Sequence, residues 1–245
     1  FSDIRDFTSI SEHMTPKENF NFLNNYIGYM EPFIRNNNGF IYKFIGDSIM
    51  ALFPDNAEDA INAAIEMKIK LTEFNQIISQ FGQPPITIGI GLHTGMLMLG
   101  VVGGEGRMDG TVISDAVNLT SRLEGLTKIY GSSIIISEDT LIKINDPTNY
   151  HYRFLDIVKV KGKKQAIYIF EIIDGEIEEI KDLKIKSKQG RRTCLVELKI
   201  LVEDGQRLPH DGVAAGELFV RGPAITAGYF KNDEANRNAF DSEGW

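Results

Sequence analysis

The sequence is poor in cysteine, in basic residues and in long apolar segments, and each shortage excludes a class of protein. Cys194 is the single cysteine, so an internal disulfide framework is excluded and a reducing, cytoplasmic compartment is expected. Acidic residues outnumber basic ones by 34 to 26, and the net charge of −8 argues against a nucleic-acid binder. No apolar run approaches the roughly 18 residues that a membrane-spanning helix needs. We therefore expect an acidic protein without a membrane segment in this chain.

Two stretches place a carboxylate beside apolar runs. Residues 1–8 hold Asp3 at the end of an apolar run, and residues 42–53 hold Asp47 in a Gly-Asp turn between two apolar runs. Two carboxylates at strand ends are suited to hold hard, oxygen-seeking cations against a triphosphate. Taken singly, each aspartate has a simpler interpretation, since Asp is common at strand ends and in turns.

Two further stretches complete an ordered set. Residues 107–124 read RMDGTVISDAVNLTSRLE, and residues 160–163 read VKGK. In their order along the chain and in their residues, the four stretches resemble the catalytic domain of the class III nucleotidyl cyclases, which make cyclic AMP or cyclic GMP. Four ordered motifs over about 170 residues form a much more specific signal than any one of them alone.

The resemblance implies a metal site. Asp3 and Asp47, with the backbone carbonyl of Ile4, match the ligands that hold two Mg²⁺ or Mn²⁺ ions in this family. Such ions lower the pKa of the attacking 3′-hydroxyl and neutralise the departing pyrophosphate.

The resemblance also implies a preference for ATP. Lys43 precedes the Gly-Asp turn by three residues, where the family places a lysine that donates to adenine N1. Thr111 matches the residue that accepts from the exocyclic amine. Members that make cyclic GMP carry Glu and Cys or similar residues at these two positions. A solvated strand lysine and a turn threonine are the alternative interpretation.

Four more residues match the family's catalytic and phosphate-binding positions. Asn118 would orient the ribose ring oxygen, and Arg122 would contact the α-phosphate as negative charge develops on it. Lys161 matches the lysine that binds the terminal phosphates, and Arg107 matches a position that assists it. Without the surrounding motifs, an Asn and an Arg on a helix would be ordinary surface residues.

In this family the metal ligands of one subunit face the base-reading and transition-state residues of the other. A chain that holds all of them is expected to form a homodimer with two equivalent sites. The resemblance thus implies an adenylate cyclase that converts ATP to cyclic AMP and pyrophosphate. A catalytically silent nucleotide-binding module and a fragment of an acyl-activating enzyme remain the alternatives.

Local patterns predict the elements that carry these motifs. Thr15 to Glu18 forms a capping box with proline at the first helical position, which predicts a helix from there to about residue 36. A hairpin over residues 40–53 and a second helix after Asn56 follow. Strands are expected over residues 86–92 and 96–102, and a third helix over about 116–126.

The remaining strands and helices do not alternate regularly. The pattern therefore predicts an α+β domain with helices packed on a mainly antiparallel sheet. This is the fold class that the resemblance implies, a ferredoxin-like cyclase core. We expect this domain over residues 1–174, followed by a charged linker or helix over 175–187.

From about residue 188 the sequence changes character. Residues 188–245 resemble a short internal segment of the adenylate-forming acyl-CoA synthetases, through stretches such as 216–223 and 228–230. The family's phosphate-binding loop and its C-terminal lysine are absent, so we expect no adenylation by this segment. A gene fusion, an assembly splice and an artificial fusion all fit.

Phe1 already lies inside the first motif. We therefore expect the natural protein to continue upstream, with a regulatory domain or a membrane anchor that this chain does not include.

Overall fold

The structure is a computed structural model that describes residues 1–104, 107–159, 166–186, 197–201, 207–208 and 217–221. Within these ranges, the side chains of residues 102, 104, 107–111 and 113 and those from 186 onward are outside the description. Spatial contacts divide the chain into two compact units, Phe1–Ile185 and Lys186–Trp245. The domain boundaries drawn from the sequence stay predictions.

The first half of the larger unit forms a split β-α-β motif. Its elements are β1 (Ser2–Ile4), α1 (Phe7–Ser11), α2 (Pro16–Asn36), β2 (Phe40–Ile45), β3 (Ser48–Leu52), α3 (Ala57–Ser79) and β4 (Ile88–Leu92). The strands lie in the order β2-β3-β1-β4, and every adjacent pair among them is antiparallel. This order is that of the ferredoxin-like fold, which confirms the predicted fold class.

Three more strands extend the sheet beyond β4. The remaining elements of this unit are β5 (Met98–Gly104), β6 (Arg107–Ile113), α4 (Asp115–Tyr130), β7 (Ile134–Ser137), α5 (Glu138–Leu141), a 3₁₀ turn (Pro147–Asn149), β8 (Tyr152–Val158), β9 (Ile167–Ile172) and α6 (Glu178–Lys186). The full order is β2-β3-β1-β4-β7-β9-β8, in which only β4 and β7 run parallel.

Helices cover both faces of this sheet. On one face, α2 and α3 pack on Ile88, Ile90 and other strand residues to form the larger apolar core. On the other face, Leu119 and Leu123 of α4 pack on Ile135 and form a smaller one. Because neighbouring strand residues point to opposite faces, Ile134 and Ile135 lie in different cores. The sheet therefore separates α4 from the helix pair.

Helix α2 begins where its capping box predicts. The Thr15 side chain accepts from the backbone N–H of Glu18 at 3.3 Å, and the Glu18 carboxylate accepts from the Thr15 N–H at 2.8 Å. The buried face of this helix is Phe22, Tyr26, Met30 and Ile34. Phe20, which shares the apolar spacing, lies outside that face and is 68% exposed.

The strand at residues 96–102 does not follow β4 into the sheet. Instead β5 pairs with β6 in a separate two-stranded antiparallel ribbon, with the Gly103↔Met108 and Gly104↔Arg107 pairs nearest to its tip. The charged stretch after the last strand is helical, as one of the two sequence interpretations allowed. Lys184 of α6 donates to the buried Glu171 at 2.6 Å and to Glu176 at 2.7 Å. These ion pairs hold α6 against the sheet.

In the smaller unit, the described strands are β10 (Glu197–Leu201), β11 (Arg207–Leu208) and β12 (Glu217–Arg221). They form an antiparallel sheet in the order β11-β10-β12. Among the described residues of the whole chain, none of the helices has the length and apolar character to cross a bilayer.

Candidate active site

Asp3 and Asp47 lie side by side, although they are far apart in the chain. Asp3 belongs to the central strand β1, and Asp47 lies in the turn between β2 and β3, where Gly46 adopts φ 63°. Asp47 Oδ2 accepts a hydrogen bond from the backbone N–H of Ile4 at 3.2 Å. Asp3 Oδ1 accepts from the Ser48 hydroxyl. The antiparallel pairing of β1 with β3 thus brings both carboxylates to one end of the sheet.

The electrostatics of this pair indicate uncompensated negative charge. Partial burial and, after it, the neighbouring charge of Asp3 together raise the pKa of Asp47 from its ordinary value of 3.8 to about 6. Two carboxylates this close resist ionising together. A divalent cation between them would remove that penalty.

The donor set fits a hard cation. Two carboxylates and the adjacent main-chain carbonyl of Ile4 offer oxygen atoms alone, which is the ligand type that Mg²⁺ and Mn²⁺ prefer. No group of three or more acidic, histidine or cysteine side chains with metal-binding geometry occurs among the described residues. Two carboxylates and one carbonyl do not fill the coordination shell of such an ion, so positions remain for a phosphate ligand and water.

Lys43 lies on β2, the strand that leads into the Asp47 turn. Its Cα pairs with Met50 of β3, just after an irregularity in register at Ile41. The side chain is exposed to solvent. Lys43 is therefore accessible to a ligand near the turn.

Helix α4 carries Asn118 and Arg122. Its N-terminus is capped by Ser114, whose hydroxyl accepts from the N–H of Ala116 at 3.0 Å. Leu119 and Leu123 anchor the helix to the sheet, while Asn118 is exposed and Arg122 is partly exposed. Their spacing of four places Asn118 and Arg122 on one face of the helix.

The helix lies directly on β4 at Gly91. A Cβ atom at Gly91 would lie 2.6 Å from the Thr120 carbonyl oxygen and 2.9 Å from the Glu124 Cα. Both distances are much shorter than van der Waals contact. Only glycine permits this close approach of the α4 backbone to the strand.

The other predicted site residues are only partly described. Thr111 and Arg107 lie on β6, where they pair with Gly100 and Gly104 of β5, and their side chains are outside the description. Lys161 lies outside the described residues, in the connection between β8 and β9. The roles expected of these three residues stay predictions.

The structure adds residues that the sequence reasoning missed. Arg5 extends from the end of β1 to α4, where its Nη1 atom lies 3.8 Å from Glu124 Oε1 and its Nη2 atom donates to Thr127. Burial and, after it, the charge of Asp3 raise the pKa of Glu124 to about 7, against the opposing effect of Arg5. The sequence offered one indication of these two residues, their closeness to predicted site residues: Arg5 follows Asp3 by two positions, and Glu124 follows Arg122 by two.

Comparisons with known proteins cover the two units differently. A "Long-chain-fatty-acid--CoA ligase" from Thermus thermophilus is 41% identical over 69 residues, which is 28% of this chain and 13% of that protein. This short match agrees with the resemblance of residues 188–245 and shows no activity for them.

A second relative matches over a longer stretch. An "Adenylate cyclase" from Anabaena cylindrica is 48% identical over 178 residues, which is 70% of this chain and 36% of that protein. The chain therefore spans about a third of the length of this relative.

Two crystal structures resemble the same region. The guanylyl cyclase Cya2 has a TM-score of 0.61 and 35% identity, with 70% of this chain and 88% of that chain covered. The adenylyl cyclase CyaB from P. aeruginosa has a TM-score of 0.61 and 30% identity, with 70% and 90% covered. Residues 1–172 match the family described as "Adenylate and Guanylate cyclase catalytic domain". Members of this family depend in general on metal ions. The chain belongs to the class III nucleotidyl cyclase family.

Proposed function

We propose that this chain is the catalytic region of an adenylate cyclase, which converts ATP to 3′,5′-cyclic AMP and pyrophosphate in a homodimer. The observation that carries the proposal is the pairing of Asp3 and Asp47 at one end of the sheet. The identity of 48% to an adenylate cyclase supports the choice of product. The reaction takes place in the cytoplasm in this proposal, because ATP is abundant there.

The metal half of each site consists of Asp3, Asp47 and the carbonyl of Ile4. These oxygens would hold two Mg²⁺ or Mn²⁺ ions and so keep both carboxylates ionised despite the raised pKa of Asp47. The bound ions would supply activation of the 3′-hydroxyl and charge neutralisation of the pyrophosphate. The protein's own contribution is to fix the two carboxylates before substrate arrives, through the Ser48 hydroxyl and the Ile4 N–H.

The other half of each site comes from the partner subunit. Asn118 orients the ribose ring oxygen, and Arg122 donates to the α-phosphate as its oxygens gain charge. Lys161 and Arg107 bind the terminal phosphates in this proposal. In one protomer Asp3 accepts from Ser48 and Asp47 accepts from Ile4, while Asn118 is exposed and Arg122 is partly exposed on α4. A two-fold dimer would bring these halves together twice.

Lys43 and Thr111 select the base. The ammonium group of Lys43 donates to adenine N1, and the Thr111 hydroxyl accepts from the exocyclic amine. Guanine presents N1–H and O6 instead, so a donor at position 43 would oppose its N1–H. Because the threonine hydroxyl also donates, discrimination against GTP by this pair is moderate.

The test is a product assay. Purified protein is incubated with ATP or with GTP in the presence of Mn²⁺, and the cyclic nucleotide is detected by chromatography and mass spectrometry. Asp47→Asn serves as the inactive control, and Asp55→Asn, at an exposed aspartate after β3, serves as the matched active control.

Each outcome separates the alternatives. Cyclic AMP as the main product supports the proposal, and cyclic GMP as the main product would overturn the base assignment. Binding of ATP without product would identify a silent nucleotide-binding module. In a parallel reaction with added fatty acid and coenzyme A, release of AMP and pyrophosphate with formation of the acyl thioester would assign the activity to an acyl-activating enzyme.

A further inference from the structure

Arg5 connects the two halves of the site within one protomer. Its backbone N–H donates to the Thr87 carbonyl at 2.8 Å, which fixes the chain at the end of β1. Its side chain, only 17% exposed, then crosses to helix α4. There Nη2 donates to the Thr127 hydroxyl and reaches the Ser132 carbonyl at 3.5 Å. Arg5, which directly follows the strand that carries Asp3, is therefore bonded through its side chain to the helix that carries Arg122.

The surroundings of Arg5 leave its guanidinium little freedom. Thr127 is fully buried, and Glu124, whose side chain is 14% exposed, lies 3.8 Å from Nη1. Next to the guanidinium, strand β4 has a glycine at position 89. A Cβ atom at Gly89 would lie 2.5 Å from Nη2 of Arg5. The strand thus provides a space that the guanidinium fills, and the charge pair forms in a largely dehydrated environment.

In the proposed dimer, the two ends of this connection serve different active sites. Asp3 of a protomer belongs to one site, whereas Asn118 and Arg122 of the same protomer belong to the other. We propose that Arg5 is a positioning residue that fixes β1 and α4 relative to each other through Glu124 and Thr127, and thereby sets the geometry of both active sites. The inference rests on the proposed function and adds a residue that touches no substrate atom.

A displacement of about 1 Å at a reacting group costs up to about a hundredfold in rate. Arg5→Met, which keeps the apolar stem and removes the guanidinium, should therefore lower kcat by about tenfold or more. Because Arg5 does not touch ATP, KM for ATP should change by less than about threefold. Arg5→Lys restores the charge without the planar fork and should recover part of kcat. Gly89→Ala would displace the guanidinium and the Thr127 hydroxyl without removing either, and should lower kcat in the same direction.

Arg153→Met is the matched control. Arg153 also forms a largely buried ion pair, with Glu171 at 2.7 Å, and its side chain is 14% exposed. It joins the two outer strands β8 and β9, far along the sheet from β1. Breaking it should lower the melting temperature as Arg5→Met does, with kcat within about twofold of the unchanged enzyme.

The decisive experiment uses heterodimers with one native site. Protomers that carry Asp47→Ala and protomers that carry Arg122→Ala are expressed together with different tags and purified through both tags. One site then contains both substitutions. The other site is native, because its metal half comes from the Arg122→Ala protomer and its helix half, with Asn118 and Arg122 of α4, comes from the Asp47→Ala protomer. Arg5→Met is added to either protomer in turn.

The proposal predicts a loss of about fivefold or more in kcat from either placement. A loss from only one placement would show that Arg5 serves a single half-site, and no loss would show that it serves neither; each result overturns the proposal. An equal loss from Arg153→Met would reduce the effect to general destabilisation and overturn it too. An inactive heterodimer without any Arg5 change would refute the shared site of the proposed function, so that failure is distinguishable.

Discussion

The metal half and the helix half of the candidate site are built in different ways. Asp3 and Asp47 are held by hydrogen bonds between chain segments that are more than 40 residues apart, namely Ser48 to Asp3 and Ile4 to Asp47. Asn118 and Arg122 owe their common face to helical spacing alone. The metal half thus depends on the pairing of three strands, whereas the helix half depends on where one helix rests on the sheet. Substitutions in the two halves should therefore affect activity differently.

The largest effect should come from the metal half. Asp3→Ala or Asp47→Ala removes an ion ligand and no packing group, so cyclase activity should fall by about a thousandfold or more while the fold is retained. Product formation in Mn²⁺ and circular dichroism check the two parts. Retention of more than a few per cent of turnover in both variants would contradict the two-ion assignment.

The helix half should show a smaller and purely kinetic effect. Asn118→Ala and Arg122→Ala should each lower kcat by about a hundredfold and leave KM for ATP nearly unchanged, because their contacts strengthen only as the transition state forms. Steady-state kinetics at saturating metal measures both constants. A raised KM with unchanged kcat would make them ground-state binding residues instead.

The raised pKa of Asp47 predicts that its ionised carboxylate lowers the stability of the folded protein when no metal is bound. Its folded-state pKa of about 6 lies above the ordinary value of 3.8, so the native state holds more protons than the unfolded state between these values. Stability should therefore fall as pH rises through this window. Because the group is half-exposed, we expect Asp47→Asn to stabilise the metal-free protein by only about 1 kcal/mol near neutral pH, and by almost nothing near pH 4.

Thermal unfolding in the presence of a chelator measures this difference. A shift of about 2–4 °C near neutral pH is expected for a protein of this size. Added Mn²⁺ should reverse the order, since the wild-type protein gains a bound ion that Asp47→Asn holds poorly. An equal stabilisation at both pH values would show that the carboxylate does not cause the effect.

The smallest effect should come from the C-terminal unit. Deletion of residues 189–245 should leave activity and dimerisation within about twofold, because α6 and its ion pairs to Glu171 and Glu176 stay in place. Deletion from residue 176 onward should instead destabilise the domain by about 1.5–3 kcal/mol, because the buried Glu171 loses the charged hydrogen bond from Lys184 and retains the one from Arg153. Activity and melting temperature of both truncations test this contrast. A loss of activity on the shorter deletion would make the C-terminal unit part of the enzyme.

Local rules predicted local structure well. The capping box at Thr15 and the turn at Gly46 each depend on neighbours within a few residues, and both are present. Phe20 is exposed although it shares the helical spacing of the buried Met30 and Ile34, because a hydrophobic residue is buried only if a partner covers its side of the helix.

The features that the sequence reasoning missed are long-range. The β5–β6 ribbon separates from the sheet, and of its two strands the patterning predicted β5 alone. The contact of Arg5 with Thr127 joins residues 122 positions apart, and no local pattern encodes it. In the same way, the pairing of Asp3 with Asp47 was expected only from the resemblance to a family, since no spacing rule brings the two carboxylates together.

Because glycine has no side chain beyond hydrogen, Gly91 limits which substitutions the enzyme can tolerate. The α4 backbone rests on the β4 backbone there, so the smallest possible enlargement, one methyl group, would lift the helix by about 1 Å. Arg122 would move with it, and a shift of that size reaches the scale of a catalytic substitution, up to about a hundredfold. A residue that contacts neither nucleotide nor metal would then be as intolerant of change as the arginine itself. A search for substrate contacts alone would pass over it.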